Sequence, residues 1–184
     1  MRRVWVTLNI PEPALEQALA APGAALAQLF GRARQEPFTA DSATLFAIGS
    51  QDPITAAQVE RLSVTAPRHD APLGEVTEPP TGLPAVLVST GSYLGPDAAL
   101  SARFAQGVAR EIDHLTPHTV VLSGGDTALA VLDALGVALV FPQGEAAPGL
   151  PWFLIERENH PSIRCIVKSG GFGGTTALAD LLVS

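Results

Sequence analysis

The sequence is poor in residues that staple, coordinate or stack. A single cysteine, Cys165, among 184 residues excludes an internal disulfide and any cysteine-based zinc site. The four histidines, His69, His114, His118 and His160, do not share a zinc-type spacing. His114 and His118 are four apart, but Thr116-Pro117 between them breaks a helix. Aromatics are only 5%, so the core has to be built from Ala, Val, Leu and Ile. No apolar run reaches the 18 or so residues of a membrane span, and the start, Met1 to Val6, is too short an apolar stretch for a signal peptide. A cytoplasmic protein without a membrane partner is therefore expected. The net charge of −7 argues against general nucleic-acid binding.

Lysine is scarcer still. Ten of the eleven basic residues are Arg, and the only Lys, Lys168, opens the most glycine-dense stretch of the chain, Lys168-Ser169-Gly170-Gly171-Phe172-Gly173-Gly174. A lysine is a compact point charge on a flexible stem and suits a phosphate oxygen. The plain reading is a surface lysine that happens to lie there.

What is present is a globular composition, 47% hydrophobic and 16% charged, with 17 Gly and 16 Pro. The length suits one ordinary domain. Residues 3–9 read as a strand and 13–34 as a broken helix, an extension over 1–42. From residue 43 to 184 short apolar runs alternate with helical stretches. Strands are expected at 43–48, 85–89, 119–122, 137–141, 152–155 and 163–167. Helices are expected at 54–62, 95–115, 127–135 and 175–183, with loops at 66–84 and 142–151. Continuous apolar strands between helices predict an α/β fold: a three-layer arrangement with a mixed, mainly parallel sheet and helices on both faces.

Three times a strand runs through a glycine turn into a helix, at Gly49-Ser50-Gln51-Asp52, at Ser123-Gly124-Gly125-Asp126-Thr127, and at Lys168 to Gly174. Parallel strands place all three turns at the carboxyl edge of the sheet, where open α/β sheets bind ligands. Each offers a helix N-terminus with free N–H groups. Together with Ser, Thr and one Lys they suit a polyphosphate. None matches the Walker A or dinucleotide fingerprint. Asp52 sits where an N-cap belongs, with Pro53 behind it. Asp126 reads equally as a cap or as a contact to Mg²⁺ or a nucleotide hydroxyl. Cys165 reads as a core residue, and Trp152 as a core anchor or a base-stacking surface.

At these turns the chain resembles the C-terminal nucleotide-binding domain of the four-carbon acid sugar kinase family. GSQDPITAAQVERL from Gly49 is similar to the family's Gly-Ser segment, which continues to a Thr and a Gln, here Thr55 and Gln58. SGGDTALAVLDALGV from Ser123, GEAAPGLPW from Gly144 and KSGGFGG from Lys168 resemble the later motifs, in order and spacing. The pattern departs at Asp52, where the family usually has Ser, and at Gly171, which replaces an Asn. The resemblance covers residues 43–184 and implies binding of ATP or ADP with Mg²⁺. It implies nucleotide contacts from Ser50, Thr55, Gly124, Gly125, Asp126, Thr127, Lys168, Ser169, Gly170 and Gly171, with Asp126 as the Mg²⁺ residue. The family's sugar-acid domain, with its Asp-Asp-Leu-Thr-Gly-Ala motif, has no counterpart here. The implied activity is therefore the ATP-binding half of a sugar-acid kinase, completed by a separate substrate-domain polypeptide. A non-catalytic nucleotide module or a degenerate domain is the other reading. The high mean hydropathy, +0.27, predicts self-association or a hetero-partner.

Overall fold

Apolar runs without alternation have both faces to bury, and they form the centre of the sheet. The computed structural model describes residue 38, residues 41–91 and residues 98–182. Within them lie β1 (Thr44–Ile48), α1 (Pro53–Leu62), β2 (Arg68–Pro72), β3 (Ala85–Thr90), α2 (Ala98–Leu115), β4 (Thr119–Ser123), α3 (Gly125–Ala134), β5 (Phe141–Ala147), β6 (Leu150–Ile155), β7 (Ile163–Lys168) and a short 3₁₀ turn, Asp180–Leu182. The expected strand at 3–9 and helix at 13–34 lie outside the described residues, as does the start of the helix expected from residue 95.

The seven strands form one sheet in the order β2-β3-β1-β4-β7-β6-β5. The first five are mutually parallel; β6 runs antiparallel to them, and β5, antiparallel to β6, returns to their direction. Successive residues of β1 serve opposite faces. Leu45 and Ala47 join a core with Phe104, Val108 and Ile112 of α2 and Ala128 and Val131 of α3. Phe46 and Ile48 join a second core with Val59 and Leu62 of α1. Helices thus cover both faces, and the fold is a three-layer α/β sheet.

Several elements differ from the sequence expectation. The loop expected at 66–84 contains β2, a polar strand (RHDAP) with Ala71 its only buried residue. It is an edge strand, where charges and proline are tolerated. The strand expected at 137–141 and the loop at 142–151 are shifted. The strand starts at Phe141 and runs to Ala147 as the other edge, paired with β6 through irregular register around Pro142 and Gly144. Main-chain pairing carries it despite its Pro and Gly. The helix expected over 175–183 is a series of turns ending in one 3₁₀ turn. Two consecutive threonines, poor helix formers, open that segment, and Thr176 Oγ1 donates locally to Asp180, 2.8 Å. Cys165 is fully buried in β7, and desolvation pushes its thiol far above the usual range. Trp152 is a core residue, edge-on to Phe38 with ring centroids 5.8 Å apart.

Candidate functional site

Topology opens a crevice before any side chain is considered. β1 and β4 are neighbours, but the chain leaves them in opposite directions. From β1 it passes through α1 to β2 on one side; from β4 it passes through α3 to β5 on the other. The two helices lie on opposite faces, so the turns after β1 and β4 part at the carboxyl edge. This is the switch point at which open α/β sheets hold ligands. A cleft of about 750 Å³ lies here, lined by Gly49, Ser50 and Gln51 after β1, Gly124 to Thr127 after β4, and Gly170 from the third turn. The size suits a small molecule.

The start of α3 forms one wall. Its N-cap is Gly124, at φ 106°, with no side-chain cap bond. The first intrahelical bond runs from Ala128 N to Gly124 O, 2.9 Å, so the N–H groups of Gly125, Asp126 and Thr127 have no acceptor within the helix. Of the two roles the sequence left open for Asp126, that of capping a helix from Thr127 is corrected: the helix starts two residues earlier, and Asp126 sits in its first turn. Its carboxylate complements the helix dipole there and faces the cleft. The turn after β1 presses against this wall. Gly49 N and Ser50 N both donate to Ser123 O, at 3.1 and 3.2 Å. A Cβ on Gly49 would lie 1.9 Å from Thr127 Oγ1, so only glycine fits.

The third turn is built from beneath. Lys168 ends β7 and is completely buried, not a surface residue. Its ammonium donates to Ser169 O at 3.0 Å, Gly170 O at 2.9 Å and Thr55 Oγ1 at 3.2 Å. Those three bonds use all three N–H groups of a lysine. Burial lowers its pKa, partly offset by the charge of Asp52. In a trans peptide the C=O of one residue and the N–H of the next point opposite ways. With the Ser169 and Gly170 carbonyls turned down to Lys168, the N–H groups of Gly170 and Gly171 turn away from it. Thr55 hands the contact on, donating to Ser50 Oγ at 3.3 Å, which also accepts from Asp52 N at 3.3 Å. Two donors into Ser50 Oγ leave its own proton for an acceptor in the cleft.

Gln58 completes the support. Fully buried, it donates through Nε2 to the carbonyls of Phe172, Gly173 and Gly174, at 3.0, 3.4 and 2.8 Å. Phe172 in turn covers Gly149 in the β5–β6 turn, where a Cβ would meet the ring at 2.2 Å. Asp52 caps α1 by accepting from Ile54 N, 2.8 Å, and lies against Gly171, whose Cβ would be 2.8 Å from Asp52 Oδ2. The two departures from the resembled pattern are therefore neighbours: the carboxylate occupies space that a side chain at 171 would need.

All the singled-out residues thus gather at one edge, in different roles. Ser50, Gly124, Gly125, Asp126, Thr127 and Gly170 line the cleft. Thr55 and Lys168 lie beneath, and Gly171 sits at the Asp52 side. Sequence reasoning gave Gln58 no role, although its place in the first motif was a signal. It also passed over Asp133 and Ser101, which line the cleft from α3 and α2. The spacing of Asp133 from Asp126, two helical turns on one face, was readable. No group of three or more metal-ligating side chains occurs among the described residues. A lone carboxylate beside helix N–H groups still fits Mg²⁺, which takes one or two carboxylates and draws its other ligands from phosphate and water.

Comparison with known proteins agrees with the fold. The fold matches a Bordetella bronchiseptica protein described as a domain of unknown function (DUF1537), solved with bound citrate as a domain-swapped dimer. The TM-score is 0.62 at 24% identity, over 85% of this chain and 41% of that one. It also matches a Haemophilus influenzae protein of the DUF1537 family, with TM-score 0.58 at 21% identity, over 86% of this chain and 44% of that one. The chain therefore spans about two fifths of the length of these structures. No curated protein matches the sequence significantly. No helix among the described residues is long and apolar enough to cross a membrane. The profile of the nucleotide-binding C-terminal domain family matches residues 86–178, which carry α2, β4 and its glycine turn, and the Lys168 loop, and the chain belongs to that family.

Proposed function

We propose that this chain supplies ATP to a kinase acting on four-carbon sugar acids, with the acceptor held by a separate substrate-domain polypeptide. The observation that carries the reading is the convergence of three glycine turns on one switch-point cleft, with the first-turn N–H groups of α3 lacking an intrahelical acceptor. Phosphates bind such groups well, since the helix dipole and the N–H groups act together. The N–H groups of Gly125, Asp126 and Thr127 and the hydroxyl of Ser50 take the phosphates. Gly170, Gly171 and Ser169 close the cradle from the third turn. Lys168 and Thr55 shape that turn from behind, and Lys168 contributes its charge through it. Asp126 holds Mg²⁺, whose charge neutralises the phosphates when bound. Phosphoryl transfer is mostly positioning and charge stabilisation, so the chain alone performs half of it. Self-association or docking of the partner covers the apolar surface around the cleft, including Leu129, 63% exposed.

Thermal unfolding with ATP and ADP, each with and without Mg²⁺, tests the binding step. A ligand at a hundred times its Kd stabilises the fold by about 2.7 kcal/mol. An unmoved midpoint at millimolar nucleotide overturns the reading. Binding without transfer is favoured by one observation, the Asp52 carboxylate beside Gly171, which weakens an anion site. Nucleotide binding with no ADP release in any mixture with a sugar-acid-binding partner would establish that second reading instead.

A further inference from the structure

The cleft does not end at the phosphate turns. It continues between two helix stripes, Ala98, Ser101 and Ala102 of α2 and Leu129, Ala130 and Asp133 of α3. Positions three and four apart share a helix face, so Asp126, Leu129, Ala130 and Asp133 form one stripe, with a carboxylate at each end. The small alanines leave a flat slot, and Leu129 stands exposed beside it. Asp133 marks its far end, where the cleft joins a second groove of about 660 Å³ that shares Ala102, Ala130 and Asp133. Its carboxylate has no hydrogen-bond or ion-pair partner among the described residues.

We infer that Asp133 reads the nucleobase of the bound nucleotide by accepting a hydrogen bond from its exocyclic amino group. This rests on the proposal that phosphates occupy the start of α3. Length decides between base and sugar. Eight residues separate Gly125 from Asp133, about 12 Å along the helix at about 1.5 Å per residue. From phosphates at Gly125, ribose and base laid end to end cover that span, whereas the ribose hydroxyls fall at about half of it. An ionised carboxylate only accepts hydrogen bonds. It therefore favours a base edge bearing N–H donors and disfavours one that presents only ring nitrogens, whose lone pairs face the negative charge. Aliphatic walls on both sides suit a planar ring.

The test is calorimetry on the full chain with ATP, 2′-deoxy-ATP and purine riboside triphosphate, which lacks the 6-amino group. Wild type should bind ATP about tenfold more tightly than the deamino analogue, the scale of one hydrogen bond to a charged group. Asp133→Ala should remove that discrimination, leaving the two nucleotides equal. Asp133 is exposed on a helix, where alanine is the best helix former, so the variant folds. Asp133→Asn, which keeps a carbonyl acceptor, should retain part of the preference. Equal binding of both nucleotides by wild type overturns the base assignment alone. So does a discrimination that survives in Asp133→Ala. If Asp133→Ala instead erases a preference for ATP over its 2′-deoxy form, the contact is to the ribose and the inference falls. No heat with any nucleotide overturns the phosphate reading as well.

Discussion

At the amino edge of the sheet, Asp41 Oδ2 accepts from Arg164 Nη2 at 2.8 Å and lies 3.0 Å from His118 Nδ1, while Asp41 Oδ1 accepts from Ala43 N at 3.0 Å. Nearby, Asp113 accepts from Arg157 at 2.8 Å. At the carboxyl edge, Asp126 has no such partner among the described residues, and the Lys168 ammonium is buried under a loop that it holds by its carbonyls. One edge closes its charges on each other to anchor strand starts. The other keeps N–H groups, a hydroxyl and the Asp126 carboxylate directed at space. Fold and site are thus separated along the strands, and substitutions at the two edges should fail differently.

The sharpest break is Lys168→Ala. It leaves two carbonyls and a hydroxyl facing a cavity, and costs about 3 kcal/mol or more in a urea melt. This reverses the expectation for an exposed lysine, whose loss would spare the fold. Lys168→Met keeps the volume but not the donors, and should recover only the cavity part. Nucleotide binding should fall in both, because the third turn loses its shape. An exposed-type result, binding lost with stability unchanged, would place Lys168 in the cleft instead.

Gly49→Ala comes next. Its Cβ meets Thr127 Oγ1 at 1.9 Å and Thr127 Cβ at 3.0 Å, so the turn after β1 and the start of α3 must part. Overpacking of this kind costs about 1–3 kcal/mol. Adding Thr127→Ala removes the oxygen but not the Cβ, so the double variant should recover part of the loss, by more than the ~0.5 kcal/mol expected of independent sites. Additive losses would show that the two turns do not touch.

These cases also show what the sequence could convey. β1, β3 and β4 were readable because burial on both faces demands continuous apolar runs. β2 and β5 were not, since edge strands are polar and carry Pro and Gly like loops. The convergence of the three turns followed from parallel topology, but the depth of Lys168 did not. A lysine at a strand end reads as exposed, and two of its three acceptors are backbone carbonyls that no side-chain pattern encodes. Gln58 stayed without a role for the same reason: its three partners are carbonyls of the glycine loop. The N-cap of α3 was misplaced because Asp126 is the better capping residue, whereas glycine at 124 follows from a φ of 106°.

The smallest effect belongs to the paired edge. Burial by itself would raise the carboxyl pKa of Asp41, but the hydrogen bonds from His118 and Ala43 and the charges of Arg164 and His118 outweigh it and hold it below the ordinary value of 3.8. Above 3.8 both folded and unfolded chains carry the charge, and the pair contributes its full stability. As pH falls below 3.8 the unfolded chain takes up its proton first, and the contribution drains away until the folded carboxyl protonates too. With 37% of the side chain exposed, screening limits the whole effect to about 0.5 kcal/mol. Asp41→Asn should therefore lower the urea midpoint slightly at pH 5, by about 0.5 kcal/mol relative to wild type. The gap should close as pH falls below 3.8 and the wild-type carboxylate is neutralised. Nucleotide affinity should not change, since Asp41 stands at the edge opposite the cleft. A gap that widens on acidification, or an altered affinity, would mean that the two edges are coupled through the sheet.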